Sequence, residues 1–150
     1  MERLIAERAC ERLIMEYARR VDFGNASGIA DLFTQDGRWE GTDLVLSGRD
    51  EIRAWFTERE RLVRRVSRHL CVNVMVDVLS PDEAESFCLL VNYRHDRRDS
   101  DTAATAPVEV PKYVGELRDR FRRTPDGWRF THRQVDVAFQ RRRSAAAPAS

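Results

Sequence analysis

The sequence predicts a single α+β domain in which three helices from the N-terminal half pack on the concave face of a cone-shaped, curved antiparallel sheet. Over residues 3–21, apolar side chains recur every fourth position, which is the spacing of an amphipathic helix. Beyond residue 68, long runs of alternating apolar and polar residues are separated by short turns, which is the spacing of strands. A chain of 150 residues has the length of one ordinary domain that can enclose a pocket.

The first helix is predicted from Arg3 to Val21 because apolar side chains repeat along one of its faces. These are Ile5, Ala9, Leu13, Tyr17 and Val21, with Ile14 and Ala18 beside them. A glycine and an asparagine end this helix, and a short second helix is predicted from Ser27 to Phe33. Ser47 and Asp50 have the spacing of a capping box, which predicts a third helix that ends at about Arg64.

Six strands are predicted to form the sheet. A turn at Asp36-Gly37 leads into two short strands, one around Trp39 and one over residues 44–46. Four longer strands follow over residues 68–79, 84–95, 110–123 and 128–139. The predicted order along the chain is therefore α-α-β-β-α-β-β-β-β.

Alternation along residues 68–79 divides the side chains between two faces of the sheet. One face carries Leu70, Val72, Val74, Val76 and Val78, and the other carries His69, Cys71, Asn73, Met75 and Asp77. The second set mixes polar and soft apolar groups, which favours a pocket over a sealed core. Antiparallel pairing then places four residues of the return strand on this pocket face, namely Cys88, Leu90, Asn92 and Arg94.

The composition argues against several classes of protein. A net charge of +1 gives no global basic field, so we expect no nucleic-acid partner. No apolar run approaches the roughly 20 residues of a membrane-spanning helix. The charged N-terminus is unlike a signal peptide, so we expect no membrane contact and a cytoplasmic location. Three cysteines without ligand spacing, and no glycine-rich or HExxH motif, predict free thiols, no metal and no cofactor.

Several segments together resemble one protein family. They are YARRVD at the end of the first helix, LFTQDGRWEG, SGRDEIRAWF, SRHLCVNVMVDV and the closing RTPDGWRFTHRQV. In this order they resemble the SnoaL-like branch of the NTF2-like superfamily, in particular its scytalone-dehydratase-like and bile-acid-dehydratase-like members. The resemblance predicts one domain over residues 1–139 and leaves residues 140–150 as a disordered tail rich in arginine and alanine. It implies the cone-shaped fold but no single reaction, because dehydratases, isomerases, cyclases and non-catalytic subunits share this scaffold.

Tyr17, Asp22 and His69 are the predicted catalytic residues. Tyr17 and Asp22 stand five residues apart, which matches Tyr-x-x-x-x-Asp in the bile-acid-dehydratase-like members that this sequence resembles. His69 stands where that resemblance puts the family's catalytic histidine, which implies that Asp22 orients an imidazole that exchanges protons with the substrate. The residues by themselves leave two alternatives open. In the first, Asp22 is a surface carboxylate or an ion-pair partner of Arg19 or Arg20. In the second, His69 is a structural histidine without a role in catalysis.

A second set of residues is predicted to line the pocket and bind the substrate. It comprises Asn92, Arg94, Trp39, Trp55, Phe56 and Met75. The dehydratase-like relatives carry a further acid or histidine on the return strand, where this chain offers Asn92 or Arg94 instead. That departure removes a second proton shuttle. The apolar lining predicts a small hydrophobic substrate that is cyclic or aromatic.

The predicted function is a cofactor-independent lyase of the dehydratase type, or an isomerase, that acts on a hydroxy or carbonyl compound by His-Asp acid/base chemistry. The alternative is a non-catalytic ligand-binding or assembly subunit, similar to the small subunit of ring-hydroxylating dioxygenases. The sheet face opposite the pocket is also apolar in this prediction, since it carries the valines of residues 72–78. We therefore expect a homodimer or homotrimer in which that face is covered.

Overall fold

A computed structural model describes residues 1–142 of the chain. The helices are α1 (Glu2–Asp22) and α2 (Arg49–Glu60), with a 3₁₀ helix at Ser27–Leu32. The strands are β1 (Phe33–Gly41), β2 (Leu44–Ser47), β3 (Arg65–Val78), β4 (Glu83–Asp96), β5 (Tyr113–Thr124) and β6 (Gly127–Gln140). The predicted order of elements is confirmed. Most of the predicted tail, residues 143–150, lies outside the described residues.

Helix α1 buries one stripe of side chains against the sheet. The stripe consists of Ala6, Cys10, Ile14, Tyr17 and Val21, which repeat at intervals of three and four residues. Ile5 is exposed, so the buried face near the N-terminus is turned by one residue from the predicted one. No helix within residues 1–142 is both long and apolar enough to cross a lipid bilayer.

The six strands form one mixed sheet in the order β2-β1-β6-β5-β4-β3. Four of the five neighbouring pairs are antiparallel, but β1 and β6 run parallel, so the prediction of an entirely antiparallel sheet was wrong for this pair. Between the hairpin β1–β2 and the meander β3–β6, the chain passes through α2 from one edge of the sheet to the other. The meander then brings β6 alongside β1 in the same direction, a long-range pairing that no local pattern indicates.

Two local predictions before α2 were wrong. The predicted turn at Asp36-Gly37 lies inside β1, where the β1–β6 register is irregular between Phe33 and Arg38. Gly48, at a φ of 87°, precedes α2, and the backbone N–H of Ser47 donates to the Glu51 carboxylate at 2.8 Å. This contact takes the place of the predicted capping box between Ser47 and Asp50. The helix ends at Glu60, before the predicted end at Arg64.

A β-bulge in β3 changes which face each later residue occupies. The β3–β4 register shifts between Val72 and Met75, and Asn73 there has a φ of 53°, which is uncommon for a residue with a side chain. Because the bulge inserts one extra residue, the alternation is reversed beyond it. Val74, Val76 and Val78 pack against the core, contrary to the prediction that they lie on the outer face. Met75 is 62% exposed and pairs with Phe87 on the outer face, so its predicted place in the pocket was wrong.

Candidate active site

A cavity of about 180 Å³ lies between α1, the β1–β2 turn and the inner face of β3–β6. Its lining is mostly apolar, and within the described part of the chain, residues 1–142, His69 is the one ionisable base that lines it. The lining residues are Tyr17, Ala18, Trp39, Gly41, Thr42, His69, Cys71, Leu90, Tyr113, Leu117, Val135 and Val137. Two of the three predicted catalytic residues, Tyr17 and His69, therefore line the same cavity as Trp39.

The predicted contact between Asp22 and His69 is present. Asp22 ends α1, and its Oδ1 lies 2.7 Å from His69 Nδ1. Its Oδ2 accepts a hydrogen bond from the His69 backbone N–H at 2.7 Å, and the Ser67 hydroxyl donates to Oδ1 at 2.8 Å. Strand alternation puts Ser67 and His69 on the same face of β3, so both reach the end of the helix.

These contacts rule out the surface alternative for Asp22. Its side chain is only 5% exposed, and Arg19 and Arg20 bond to Glu16 instead. Burial acts to raise the pKa of Asp22, but the hydrogen bonds from His69 and Ser67 and the charge of His69 outweigh it, so the pKa lies below its usual value. The same donors offset the unfavourable position of a carboxylate at a helix C-terminus.

The protonation of the His69 ring follows from its partner. An ionised carboxylate can only accept hydrogen bonds, so the neutral imidazole must carry its proton on Nδ1 and donate it to Asp22. Nε2 is then the unprotonated nitrogen at the cavity wall. A histidine held in this tautomer by a carboxylate has the arrangement of a general base.

Tyr17 presents its hydroxyl to the cavity from α1. Trp39 Nε1 donates to the Tyr17 oxygen at 2.9 Å, and because an indole can only donate, the phenolic proton stays available for another acceptor. Burial raises the pKa of Tyr17 above its usual value, against the lowering effect of Arg133. The Arg133 guanidinium lies 4.2 Å from the centre of the Tyr17 ring and supports it from below.

Neither of the two polar residues that were predicted to bind substrate lines this cavity. Asn92 lies on the inner face of β4 in register with His69, as predicted, and is 1% exposed. Its Nδ2 is buried and has no hydrogen-bond partner within residues 1–142. Arg94 is directed toward Asp96, at 3.3 Å, and lines a neighbouring cavity under the β4–β5 loop, so it does not form the wall near His69.

The predicted aromatic wall is formed by one tryptophan. Trp39 lines the cavity, and Trp55 stacks on it with ring centroids 5.9 Å apart. Phe56 is buried with its ring edge toward Tyr17, at a centroid distance of 5.9 Å. Trp55 and Phe56 therefore form the layer that holds Trp39 and Tyr17 in place, and do not themselves line the cavity.

Sequence reasoning missed two groups near the pocket. Tyr113 lines the cavity from the start of β5, in register with Asn92, and burial raises its pKa to about 12. Ser67 was detectable, because it lies two residues before His69 and alternation places it on the same face. Tyr113 could not be detected, because the sequence did not predict the register of β5 relative to β4 and β3. Within residues 1–142 no group of three His, Cys, Asp or Glu side chains is arranged to hold a metal ion.

The six-stranded sheet, the helices that cover it and the solved structures that share this arrangement define the class of small α+β domains with the NTF2-like fold. Within that class the chain belongs to the SnoaL-like domain family, whose sequence profile matches residues 2–134. The predicted family and fold class are thereby confirmed. No curated protein sequence matches the chain significantly.

Solved structures share this fold over most of their length. An NTF2-like protein with a cystatin-like fold from Novosphingobium aromaticivorans is 25% identical, with a TM-score of 0.75 over 90% of this chain and 83% of that one. A protein of the same organism, provisionally called a scytalone dehydratase, is 18% identical, with a TM-score of 0.78 over 97% of this chain and 93% of that one. A protein of unknown function from Mycobacterium tuberculosis is 24% identical, with a TM-score of 0.73 over 91% of this chain and 73% of that one.

Proposed function

We propose that this protein is a cofactor-independent lyase or isomerase that removes a proton from carbon next to a carbonyl group in a small, neutral, hydrophobic compound. The observation that carries the proposal is the Asp22–His69 pair, which leaves Nε2 of the imidazole free at the wall of an apolar cavity. Paired acid and base groups of this kind contribute about 10²–10⁴ in rate.

The chemistry begins when His69 Nε2 takes the proton and the C–H electron pair moves to the carbonyl oxygen, which becomes an enolate. The free proton of the Tyr17 hydroxyl is the donor for that oxygen. Imidazolium then returns the proton. Delivery to a β-hydroxyl releases water and forms a double bond between the α- and β-carbons. In a substrate that already has a β,γ-double bond, delivery to the γ-carbon instead moves that double bond into conjugation with the carbonyl.

The size and charge of the cavity restrict the substrate. An apolar cavity of about 150 Å³ accepts one benzene ring, so the cavity of about 180 Å³ fits a molecule with a single ring and one or two substituents. Among residues 1–142, no arginine, lysine, aspartate or glutamate lines the cavity, and an unpaired charge is costly in such surroundings. A neutral cyclic hydroxyketone is the compound class that suits both features. The fold shared with a protein provisionally called a scytalone dehydratase is compatible with this class.

Exchange of the α-protons of cyclic hydroxyketones into deuterated water tests the proposal directly by NMR. We expect the wild type to accelerate exchange, His69→Gln to lose about 10²–10⁴ of that acceleration, and Tyr17→Phe about 10²–10³. His132→Gln is the matched control, because His132 bonds to Glu40 and lies outside the cavity lining. Equal exchange by the wild type and His69→Gln on a compound that binds would remove the catalytic proposal and leave the ligand-binding alternative.

We also propose that a second copy of the chain covers the outer face of the sheet. Although the β-bulge at Asn73 turns the later valines of β3 inward, an exposed apolar patch remains on that face. It consists of Leu70, Val72, Met75, Tyr93 and Phe139. Beside it lie acidic Asp77 and Glu85 and basic Arg120, the register partner of Glu85. A second copy turned by 180° can place its β5, which carries Arg120, over the strands β3 and β4 that carry Asp77 and Glu85. Opposite charges that face each other in this way favour a twofold interface.

Light scattering at micromolar concentration measures this assembly. We expect a mass of two chains for the wild type and of one chain for Val72→Asp, which places a charge in the patch. Ile5→Asp is the control, since Ile5 is also apolar and is 61% exposed, against 41% for Val72, but lies on α1. A mass of three chains, or a wild-type monomer, would overturn the twofold arrangement.

A further inference from the structure

A chain of hydrogen bonds connects α2 to the candidate active site. Arg59, in the last turn of α2, donates from Nη2 to the Ser67 hydroxyl oxygen at 3.0 Å. Ser67 in turn donates to Asp22 Oδ1 at 2.8 Å, and Asp22 holds His69 Nδ1. Arg59 Nη2 also lies 3.5 Å from the carbonyl oxygen of Val21, one residue before Asp22. The three elements α1, α2 and β3 thus meet at one carboxylate.

The directions of these bonds are fixed by chemistry. A guanidinium has no acceptor, so Ser67 must accept from Arg59. An ionised carboxylate has no donor, so the single hydroxyl proton of Ser67 must point to Asp22. Ser67 is 2% exposed, which leaves little water to replace either partner. The positive charge of Arg59 therefore polarises the hydroxyl in the direction that strengthens its bond to Asp22.

We infer that Arg59 and Ser67 are positioning residues of the proposed general base: they hold Asp22 ionised and oriented, and so fix the His69 proton on Nδ1 and limit the basicity of Nε2. This inference rests on the proposed function for its meaning in catalysis, but its physical content concerns the imidazole alone. Neither residue touches the cavity. Their effect reaches the substrate only through Asp22 and His69.

The arrangement explains why the cation acts through a hydroxyl. A guanidinium bonded directly to Asp22 would occupy both carboxylate oxygens and displace His69. With Ser67 in between, Oδ2 remains free for the His69 backbone N–H, and Oδ1 is shared by the hydroxyl and the imidazole. Further charged or titratable groups face Arg59 and Asp22 from neighbouring strands, and a pH titration must account for them. They are Arg65, Arg94, Asp96, Cys71 and Tyr113.

NMR of protein labelled with ¹⁵N-histidine tests the inference without a substrate, because ring nitrogen shifts report both tautomer and pKa. In the wild type we expect His69 as the Nδ1–H tautomer. Arg59→Gln removes a positive charge and Ser67→Ala a donor to Asp22, so both should favour the imidazolium and raise the measured pKa of His69. For Arg59→Gln we expect an increase of about half a unit or more, since a unit charge several ångströms away is only partly screened.

Two further variants make the outcome decisive. Arg59→Lys keeps the charge and should return the His69 pKa toward the wild-type value, even if part of the geometry is lost. Arg53→Gln is the control for α2, because Arg53 lies on the same helix and bonds to Asp31, away from the pair. The inference is overturned if folded Arg59→Gln and Ser67→Ala keep the wild-type tautomer and pKa, or if wild-type His69 carries its proton on Nε2. An inactive wild type with the expected shifts would instead count against the proposed function alone.

Discussion

Asp22 and Asp119 are two buried carboxylates with the same kinds of partner but different surroundings. Each accepts from a serine hydroxyl, Ser67 at 2.8 Å for Asp22 and Ser86 at 3.3 Å for Asp119. Asp119 then receives two bonds of 2.7 Å from the Arg133 guanidinium, and both of those side chains are 0% exposed. Asp22 receives a backbone N–H and one nitrogen of His69, whose ring borders the cavity.

The two pairs differ in whether the nitrogen partner keeps a lone pair that can accept a proton. A guanidinium keeps its charge at every physiological pH and has no lone pair for a proton, so the Asp119–Arg133 pair is closed to proton transfer. Burial lowers the pKa of Arg133, but the charge and hydrogen bonds of Asp119 raise it further, to above its usual value. The imidazole of His69 bonds to the carboxylate through Nδ1, and its Nε2 can still accept a proton. The Asp119–Arg133 pair is therefore closed to proton transfer, whereas the Asp22–His69 pair keeps one ring nitrogen that can exchange a proton.

Breaking the closed pair should have the largest effect on stability. Arg133→Met leaves the Asp119 carboxylate buried without its cation, which we expect to lower the free energy of unfolding by about 3–5 kcal/mol. Replacing both partners, as Arg133→Met with Asp119→Leu, should recover much of the loss because no charge remains uncompensated. Urea unfolding measures both, with Arg118→Met, an exposed arginine of β5, as the control. A loss below about 1 kcal/mol for Arg133→Met would contradict a structural role for the pair.

Neutralising Asp22 in the Asp22–His69 pair should have a smaller effect on the free energy of unfolding, and that effect should depend on pH. The pKa of Asp22 is lowered in the folded state, so its ionised form adds stability above the unfolded-state pKa of about 3.9. That contribution disappears as pH falls through the lower folded-state pKa. Asp22→Asn should therefore be less stable than the wild type at pH 7, by about 1–3 kcal/mol, and the difference should shrink steadily below about pH 4. Urea unfolding across this range checks the trend, and a constant difference would contradict it.

The two serines give the finest comparison. Ser67 donates over the shorter distance to a carboxylate that has no guanidinium, so Ser67→Ala should lower the free energy of unfolding by about 1.5 kcal/mol. Ser86 adds a long bond to a carboxylate that Arg133 already satisfies, so Ser86→Ala should cost about 0.5 kcal/mol or less. Thermal or urea unfolding of the two single variants decides the order. The reverse order would mean that Asp22 is held by its nitrogen partners alone.

The sequence supports the architecture better than it supports the details of either pair. Repeated spacings are long in α1 and in β3–β6, so the elements and their order could be predicted. The bulge at Asn73 could not, because Val72, Val74 and Val76 continue the alternation without a break. Its only local mark is asparagine, a residue that tolerates positive φ.

Contacts between residues that lie far apart in the sequence could not be predicted from local patterns. Asp22 and His69 are 47 residues apart, and only the family resemblance indicated that they meet. Asp119 and Arg133 are direct partners in the β5–β6 register, but charged residues in strands are typical of exposed positions. Their burial depends on a register and an inward direction that no single residue type reveals. The parallel β1–β6 pair was missed because such pairing is not local.

The stacked indoles beside the cavity make this chain a spectroscopic probe of its own occupancy. Trp39 borders the cavity, and its ring plane is tilted 21° from that of Trp55. Two indoles this close couple their electronic transitions and give a circular dichroism signal that depends on their relative orientation. The third tryptophan, Trp128, is buried near the opposite end of the sheet and supplies a steady background. A compound that displaces water beside Trp39 should alter the coupled signal, so libraries of unlabelled compounds can be screened on the unmodified protein.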